Sequence, residues 1–239
     1  MVELNNMKKE NKNCKITILK NGPYLVSGRL SLAKEIFNVD NDGNPGTYEK
    51  GEAYPDQENY DLCRCGKSSN KPYCDGAHNK IKFNGKETAS TKKYLERAEK
   101  TLGPEIDLTD VGDLCASLRF CHKGTWEHTE KSDDPKSKKI AIETACKCAA
   151  GRLIAWDKKT GKQIEDELEP SISLLEDKAA KVSGPIWAKG GIPLESDNGT
   201  KYEIRNRMTL CRCGKSNNKP FCDGNHITCG FNDGDKSVN

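Results

Sequence analysis

The stretch CRCGKSSNKPYCDGAH, Cys63 to His78, returns at Cys211 to His226 as CRCGKSNNKPFCDGNH. Thirteen of its sixteen positions are identical; the differences are Ser69/Asn217, Tyr73/Phe221 and Ala77/Asn225. Each copy offers three cysteines and a histidine as C-x-C-x8-C-x3-H. Three thiolates and an imidazole suit a tetrahedral Zn²⁺ or an iron–sulfur cluster. Zinc sites usually pair their cysteines as C-x2-4-C, whereas here the first pair is C-x-C and the third cysteine lies well beyond it. A wide loop punctuated by Gly66, Pro72 and Gly76 favours an object larger than one ion, with zinc still open on spacing alone. A chance surface histidine after C-D-G is a poor account of His78 and His226, because the spacing occurs twice. Asp75 reads as a helix N-cap that turns His78 back toward the loop.

The self-similarity extends outward, as an internal repeat does. Val26-Ser27-Gly28 lines up with Val182-Ser183-Gly184, Leu62 with Leu210, and Phe83-Asn84 with Phe231-Asn232. The offset is 156 at the first of these and 148 at the cysteines, which assigns eight extra residues to the first copy, within Asn38 to Asn59. Ile16, Ile18, Tyr24 and Val26 predict strands around an Asn21-Gly22-Pro23 turn. Ile172, Leu174, Val182, Ile186, Trp187, Tyr202 and Ile204 predict the same for the second copy. Residues 86 to 166 do not repeat. There Tyr94, Leu95, Ala98 and Leu102 have helical spacing ended by Gly103-Pro104, and Thr109 or Asp110 caps a second helix through Leu114 and Leu118. Ile140 to Ala145 predicts a third helix, and Arg152–Trp156 with Lys162–Ile164 a hairpin. The expected division is a tail at 1–13, repeat units at 14–85 and 167–239, and an inserted module at 86–166.

Composition bounds the rest. The 239 residues are 34% hydrophobic and 31% charged, with formal net charge +3 and a mean hydropathy of −0.83. So hydrophilic a chain gains from metal centres that replace part of an apolar core. The near balance of charge argues against a nucleic-acid or membrane-surface partner, and Lys8, Lys9 and Lys12 form too short a run to count. Neither a secretory signal nor a membrane-length apolar stretch is expected. Twelve cysteines in such a chain predict a reducing, cytoplasmic setting and metal ligation rather than disulfides.

Both loops resemble the CDGSH iron–sulfur domain family, whose pattern is C-x-C-x2-S/T-x3-P-x-C-D-G-S/A/T-H. Cys63, Cys65, Ser68, Pro72, Cys74, Asp75, Gly76, Ala77 and His78 match it. So do Cys211, Cys213, Ser216, Pro220, Cys222, Asp223, Gly224 and His226, with Asn225 departing at the variable position. The resemblance implies an α+β fold in which two small β-rich units pair as an internal pseudo-dimer within a monomer. It also implies two [2Fe-2S] clusters. Cys63 with Cys65 and Cys211 with Cys213 would hold the inner irons; Cys74 with His78 and Cys222 with His226 would hold the outer ones. Neutral imidazole in place of a thiolate raises the potential and can take a proton, so reduction couples to protonation and acid loosens the outer iron.

The inserted module, with Cys115-x5-Cys121 and Cys148 in CAAGRL, resembles a divergent mono-cluster ferredoxin module in which Ala149 stands for the usual proline. Leu118 occupies the place of the middle cysteine. The resemblance implies a [3Fe-4S] cluster on Cys115, Cys121 and Cys148, or a [4Fe-4S] cluster with Cys146, His122 or a small molecule as fourth ligand. The alternative places Cys115, Leu118 and Cys121 on a helix as small packed apolar groups. Cys14, Cys146 and Cys229 default to free thiols, and His128 has no evident partner. Trp126, Trp156 and Trp187 are expected to pack rather than relay electrons. Lys67, Lys215, Lys71 and Lys219 are expected on a solvated loop face.

Nothing resembles a substrate site, so the expectation is a non-enzymatic electron carrier for redox partner proteins. The competing expectations are cluster storage and delivery to apo iron–sulfur acceptors, redox or pH sensing, and a zinc-stabilised binding module.

Overall fold

The computed structural model describes residues 14–40 and 43–238; the tail expected at 1–13, with Lys8, Lys9 and Lys12, lies outside them. The fold is α+β and mostly strand. β1 (Lys15–Ile18) and β2 (Tyr24–Ser27) form the hairpin expected around Asn21-Gly22-Pro23, followed by β3 (Ser31–Val39), β4 (Pro45–Ala53) and β5 (Asn59–Leu62). The second repeat supplies β10 (Ser171–Asp177), β11 (Val182–Lys189), β12 (Leu194–Ser196) and β13 (Arg207–Leu210). Alternation does the local work: Ile16, Ile18, Tyr24 and Val26 all point inward and are fully buried.

The two repeats are laced together. One sheet runs β12-β1-β2-β5 and the other β13-β11-β10-β3-β4. Each holds its own repeat's hairpin and last strand and takes one strand of the other repeat in parallel, β12 on β1 and β3 on β10, with β4 added antiparallel to β3. Ile16 lies opposite Leu194 and Ile172 opposite Leu32. That exchange makes an internal pseudo-twofold, and the buried side chains of both sheets share one core, including Ile16, Tyr24, Leu32, Leu174, Ile186 and Leu194.

The register corrects the alignment of Val26-Ser27-Gly28 with Val182-Ser183-Gly184. Tyr24 faces Ile18 and Leu62, and the residue facing Leu174 and Leu210 is Ile186. Tyr24 and Ile186 are therefore the equivalent pair, and Gly28 matches Gly190, both at positive φ. The second repeat has a longer first hairpin, and the first repeat has β4, which has no counterpart among these strands. Local identity of three residues misled because register answers to pairing, not to similarity. Tyr202 and Ile204 also fall outside the strands; Tyr202 packs on Phe221 instead, ring centroids 5.3 Å apart.

Between the repeats, β6 (Glu99–Thr101), β7 (Ile106–Asp110), β8 (Leu153–Asp157) and β9 (Gln163–Ile164) form an antiparallel sheet. Helices Thr125–Glu130 and Pro135–Cys146 pack on it through Ala141, Ala145 and Leu153. The helix expected over Ile140–Ala145 and the Arg152–Ile164 hairpin are both present. The helix expected over Tyr94–Leu102 is instead one 3-10 turn, Tyr94–Glu96, followed by β6. Tyr94 leaves the helical pattern because its hydroxyl bonds the backbone of Thr109 and Arg152. The helix from Thr109 or Asp110 is likewise absent, since those residues are paired within β7. Tertiary pairing overrides the short local pattern in both cases.

Candidate metal centre

Each loop is closed by the same set of backbone bonds. Cys63 N–H donates to Pro72 O (2.8 Å), as Cys211 does to Pro220 O (2.8 Å). Ser68 Oγ donates to Tyr73 O, and Ser216 Oγ to Phe221 O. The aspartate does not cap the helix. Gly76 and Gly224 take the capping place at φ +81° and +86°, a conformation that favours glycine. Asp75 instead accepts from Ser69 N–H and Ala77 N–H, as Asp223 does from Asn217 and Asn225. It ties the two limbs of the loop and so aims His78. Lys67 and Lys215 are exposed as expected, but Lys71 and Lys219 turn inward onto the carbonyls of Ser68 and Ser216.

The donor atoms form two close pairs per loop. Cys63 Sγ lies 3.8 Å from Cys65 Sγ and Cys74 Sγ lies 3.3 Å from His78 Nδ1. The second loop repeats this at 3.9 Å for Cys211–Cys213 and 3.4 Å for Cys222–His226. Among the described residues, the one group of three ligating side chains with donor atoms all within 4.8 Å of each other is Glu176, Asp233 and Asp235. The cysteine loops therefore present two separated bites, each of the width one tetrahedral metal spans. Comparison with family models matches residues 21–79 and 183–227 to the iron-binding zinc finger of CDGSH type. Both Cys3His loops thus lie in segments similar to CDGSH domains. Comparisons with curated proteins and with solved structures gave no match.

CDGSH domains bind iron–sulfur clusters, and the residues of the two matched segments fit such a group. Burial pushes the Cys65 thiol up to about 11 and the Cys222 thiol well above its usual range, so holding them as thiolates calls for a metal. Lys215 N–H and Gly224 N–H point at Cys213 Sγ and Cys222 Sγ at 3.4 and 3.5 Å, donors that stabilise ligated sulfur. His226 Nε2 is buried with no partner among the described residues, and its Nδ1 faces Cys222 Sγ.

The two loops meet at their glycine corners. A Cβ on Gly66 would lie 2.5 Å from Cys213 O, and one on Gly214 2.5 Å from Cys65 O. Identical in ligands, they differ in surroundings. Cys74 and His78 are partly open to solvent, while Cys222 and His226 are 2% and 1% exposed. Tyr24 OH donates to Cys211 O and Pro220 O, Thr88 and Ala89 N–H donate to Lys219 O, and Asn218 Nδ2 donates to Asp113 O. Ser117 sits against Gly224. The second loop is thus caged by the first repeat and the inserted module. Burial, then Arg119, pushes the His226 imidazole down to about 4.

Sequence reading passed over the arginine inside each C-x-C. Arg64 and Arg212 are buried and lie over the repeated phenylalanines Phe83 and Phe231. Their signal was available: an arginine conserved between the two copies at a buried ligand corner is not a solvated charge.

In the inserted module Cys115, Cys121 and Cys148 line one pocket, with Ala116, Leu118 and Ala149 among its other walls. The residues from Cys115 to Arg119 do not form the helix of the alternative reading; Ser117 and Arg119 sit at φ +56° and +66° and wrap the chain around the pocket. Burial, then the neighbouring Cys148 and Cys115, pushes the Cys121 thiol up to about 11. Arg152, held by Asp110 at 2.5 and 2.6 Å, also lines the pocket. Neither Cys146, whose Sγ faces Ile164 O at 3.4 Å, nor the exposed His122 lines it. Cys14 packs on the shared core, Cys229 Sγ donates to His226 O at 3.7 Å, and His128 Nδ1 meets Ser137 Oγ at 3.1 Å. Trp187 is buried and stacks near Tyr48, and Trp126 and Trp156 are half-buried packing groups.

Proposed function

We propose that this protein is a non-enzymatic electron carrier holding a [2Fe-2S] cluster in each Cys3His loop. The observation that carries the reading is the split of each ligand set into two close pairs. A single tetrahedral Zn²⁺ would gather all four donors, with sulfurs about 3.8 Å apart at a Zn–S distance of about 2.3 Å. Bound clusters would supply one-electron storage. The chain's own part is to hold six thiolates and two imidazoles in two inner and two outer bites, exclude water from the inner cysteines, and let the Cys74–His78 edge face a partner. The direct contact of the loops through Gly66 and Gly214 supports passage of charge between them.

The pocket at Cys115, Cys121 and Cys148 supports a third centre, of the three-cysteine [3Fe-4S] type; Cys146 and His122 do not serve as a fourth protein ligand. A second reading, cluster delivery to an apo iron–sulfur acceptor, is favoured by one observation, the partial exposure of Cys74 and His78. No helix among the described residues is long and apolar enough to cross a membrane, and cytoplasmic redox proteins are the proposed partners.

Iron and sulfide counting with EPR on anaerobically purified protein tests the reading. Four irons support two [2Fe-2S] clusters, and about seven support the third centre as well. Stoichiometric zinc in colourless protein would overturn it. If Cys115, Cys121 and Cys148 are changed to Ser together, iron should fall by the third centre's share and the CDGSH signals should remain.

A further inference from the structure

The two loops have the same ligands but opposite electrostatics behind their inner cysteines. Arg64, 1% exposed, donates to two neutral carbonyls, Gly22 O at 2.9 Å and Leu19 O at 3.0 Å, and its Nη1 has no partner among the described residues. It lies over the rings of Tyr24 and Phe83. Glu87, the carboxylate on that side, is held by Tyr202 and Ser196 rather than by Arg64. Arg212, 4% exposed, is ion-paired with Glu176 at 2.8 Å and with Asp233. Glu176 is itself fully buried.

The origin of the difference is legible position by position. Asp233 follows Phe231-Asn232, and its counterpart after Phe83-Asn84 is Gly85, which lies against the Arg64 guanidinium. The longer second hairpin brings Glu176 to Arg212, where the short first hairpin offers only its turn carbonyls. Other charges cancel between the loops: Lys67 with Lys215, Lys71 with Lys219, Asp75 with Asp223. Arg119 near His226 is neutralised by Asp177 at 2.7 Å, and Asp235 by Lys34 at 2.5 Å. The unmatched charges beside the first loop, Asp61, Lys80 and Lys82, are exposed and screened by water.

Reduction adds one negative charge to a cluster. A buried uncompensated cation next to it favours that charge, and a buried site whose cation is already spent on carboxylates disfavours it. Poor solvation of the second loop acts in the same direction. We propose that Arg64 and the Arg212–Glu176–Asp233 triad set the two clusters at different potentials, so that a single electron on this protein rests on the first, partly exposed loop. Resting on the two-cluster reading above, this gives the pair a direction. With clusters bound, the caged second loop would hold the electron donor and the first loop the acceptor, the electron lost by one being gained by the other, with the Cys74–His78 edge as its exit.

The test is a dithionite titration of the full, anaerobically purified chain at pH 8, followed by EPR. The expected result is two one-electron waves separated by a tenfold or greater preference, about 59 mV for a one-electron couple. His226→Cys should lower only the lower wave and His78→Cys only the upper one, which assigns each wave to its loop. Glu176→Gln and Asp233→Asn should each raise the lower wave and leave the upper in place. One wave for both clusters, or His226→Cys moving the upper wave, would overturn the inference while leaving the cluster reading standing. Absence of four irons and four sulfides would overturn the cluster reading, and this inference with it.

Discussion

Gly66 and Gly214 each lie against the backbone of the facing loop, at φ +72° and +75°. Alanine at either position adds the left-handed cost of about 1–2 kcal/mol to a collision with the facing cysteine carbonyl. Gly66→Ala or Gly214→Ala should therefore lose at least about 2 kcal/mol, read as a drop in thermal midpoint, whereas Gly161→Ala, with open space at its Cβ, should lose only the conformational part. Glu176 gives a pH signature. Burial pushes its carboxyl up to about 7 against Arg212, above the ordinary 4.5, so the fold binds its proton more tightly than the unfolded chain. Stability is then full below pH 4.5 and declines as pH rises through 7. Glu176→Gln should raise the midpoint relative to the parent at pH 8 and leave it nearly unchanged at pH 4.5. Ligand identity at this scale was readable, because C-x-C-x8-C-x3-H admits few uses. The roles of Arg64 and Arg212 were not, since an arginine's partners depend on which hairpin folds over it.

At the scale of elements, the second loop depends on pieces far away in sequence. Tyr24 of β2 donates to Cys211 O and Pro220 O, and its counterpart Ile186 can offer the first loop nothing comparable. Tyr24→Phe should cost about 1–2 kcal/mol and speed chelator-driven iron loss from the second loop, followed as decay of its separate EPR signal; equal decay of both loops would contradict this asymmetry. Strands carrying clear alternation, such as β1 and β2, were legible. The spans Tyr94–Leu102 and Thr109–Leu118 were not, because their helical spacing is only a turn or two long and pairing with β7 and β8 supplies more hydrogen bonds than an isolated helix could. The Val-Ser-Gly match failed for the same reason: a strand's partner, not its three-letter likeness, fixes its register.

Over the whole molecule, Tyr24 of the first repeat and the inserted module cover the second loop, while the outer ligands of the first stay partly open. The His226 imidazole, pushed down to about 4 by burial and Arg119, stays neutral and able to ligate through mild acid. Because its folded value lies below the unfolded one, its contribution to stability holds above about pH 6.5 and fades as pH falls toward 4. Acid-driven cluster loss near pH 5 should therefore begin in the first loop, with His78→Cys slowing that phase and His226→Cys leaving it unchanged, as followed by visible absorbance. What the sequence alone determined is the chemistry: two Cys3His loops, an internal repeat and an inserted three-cysteine module follow from residue type and spacing, which local covalent geometry preserves. Only the tertiary structure decided that the loops are unequal, because burial, the brace from Tyr24 and the carboxylates on Arg212 arise from contacts between segments more than twenty residues apart. The sixteen repeated residues are nearly the same text twice; the fold places them in two different dielectric surroundings.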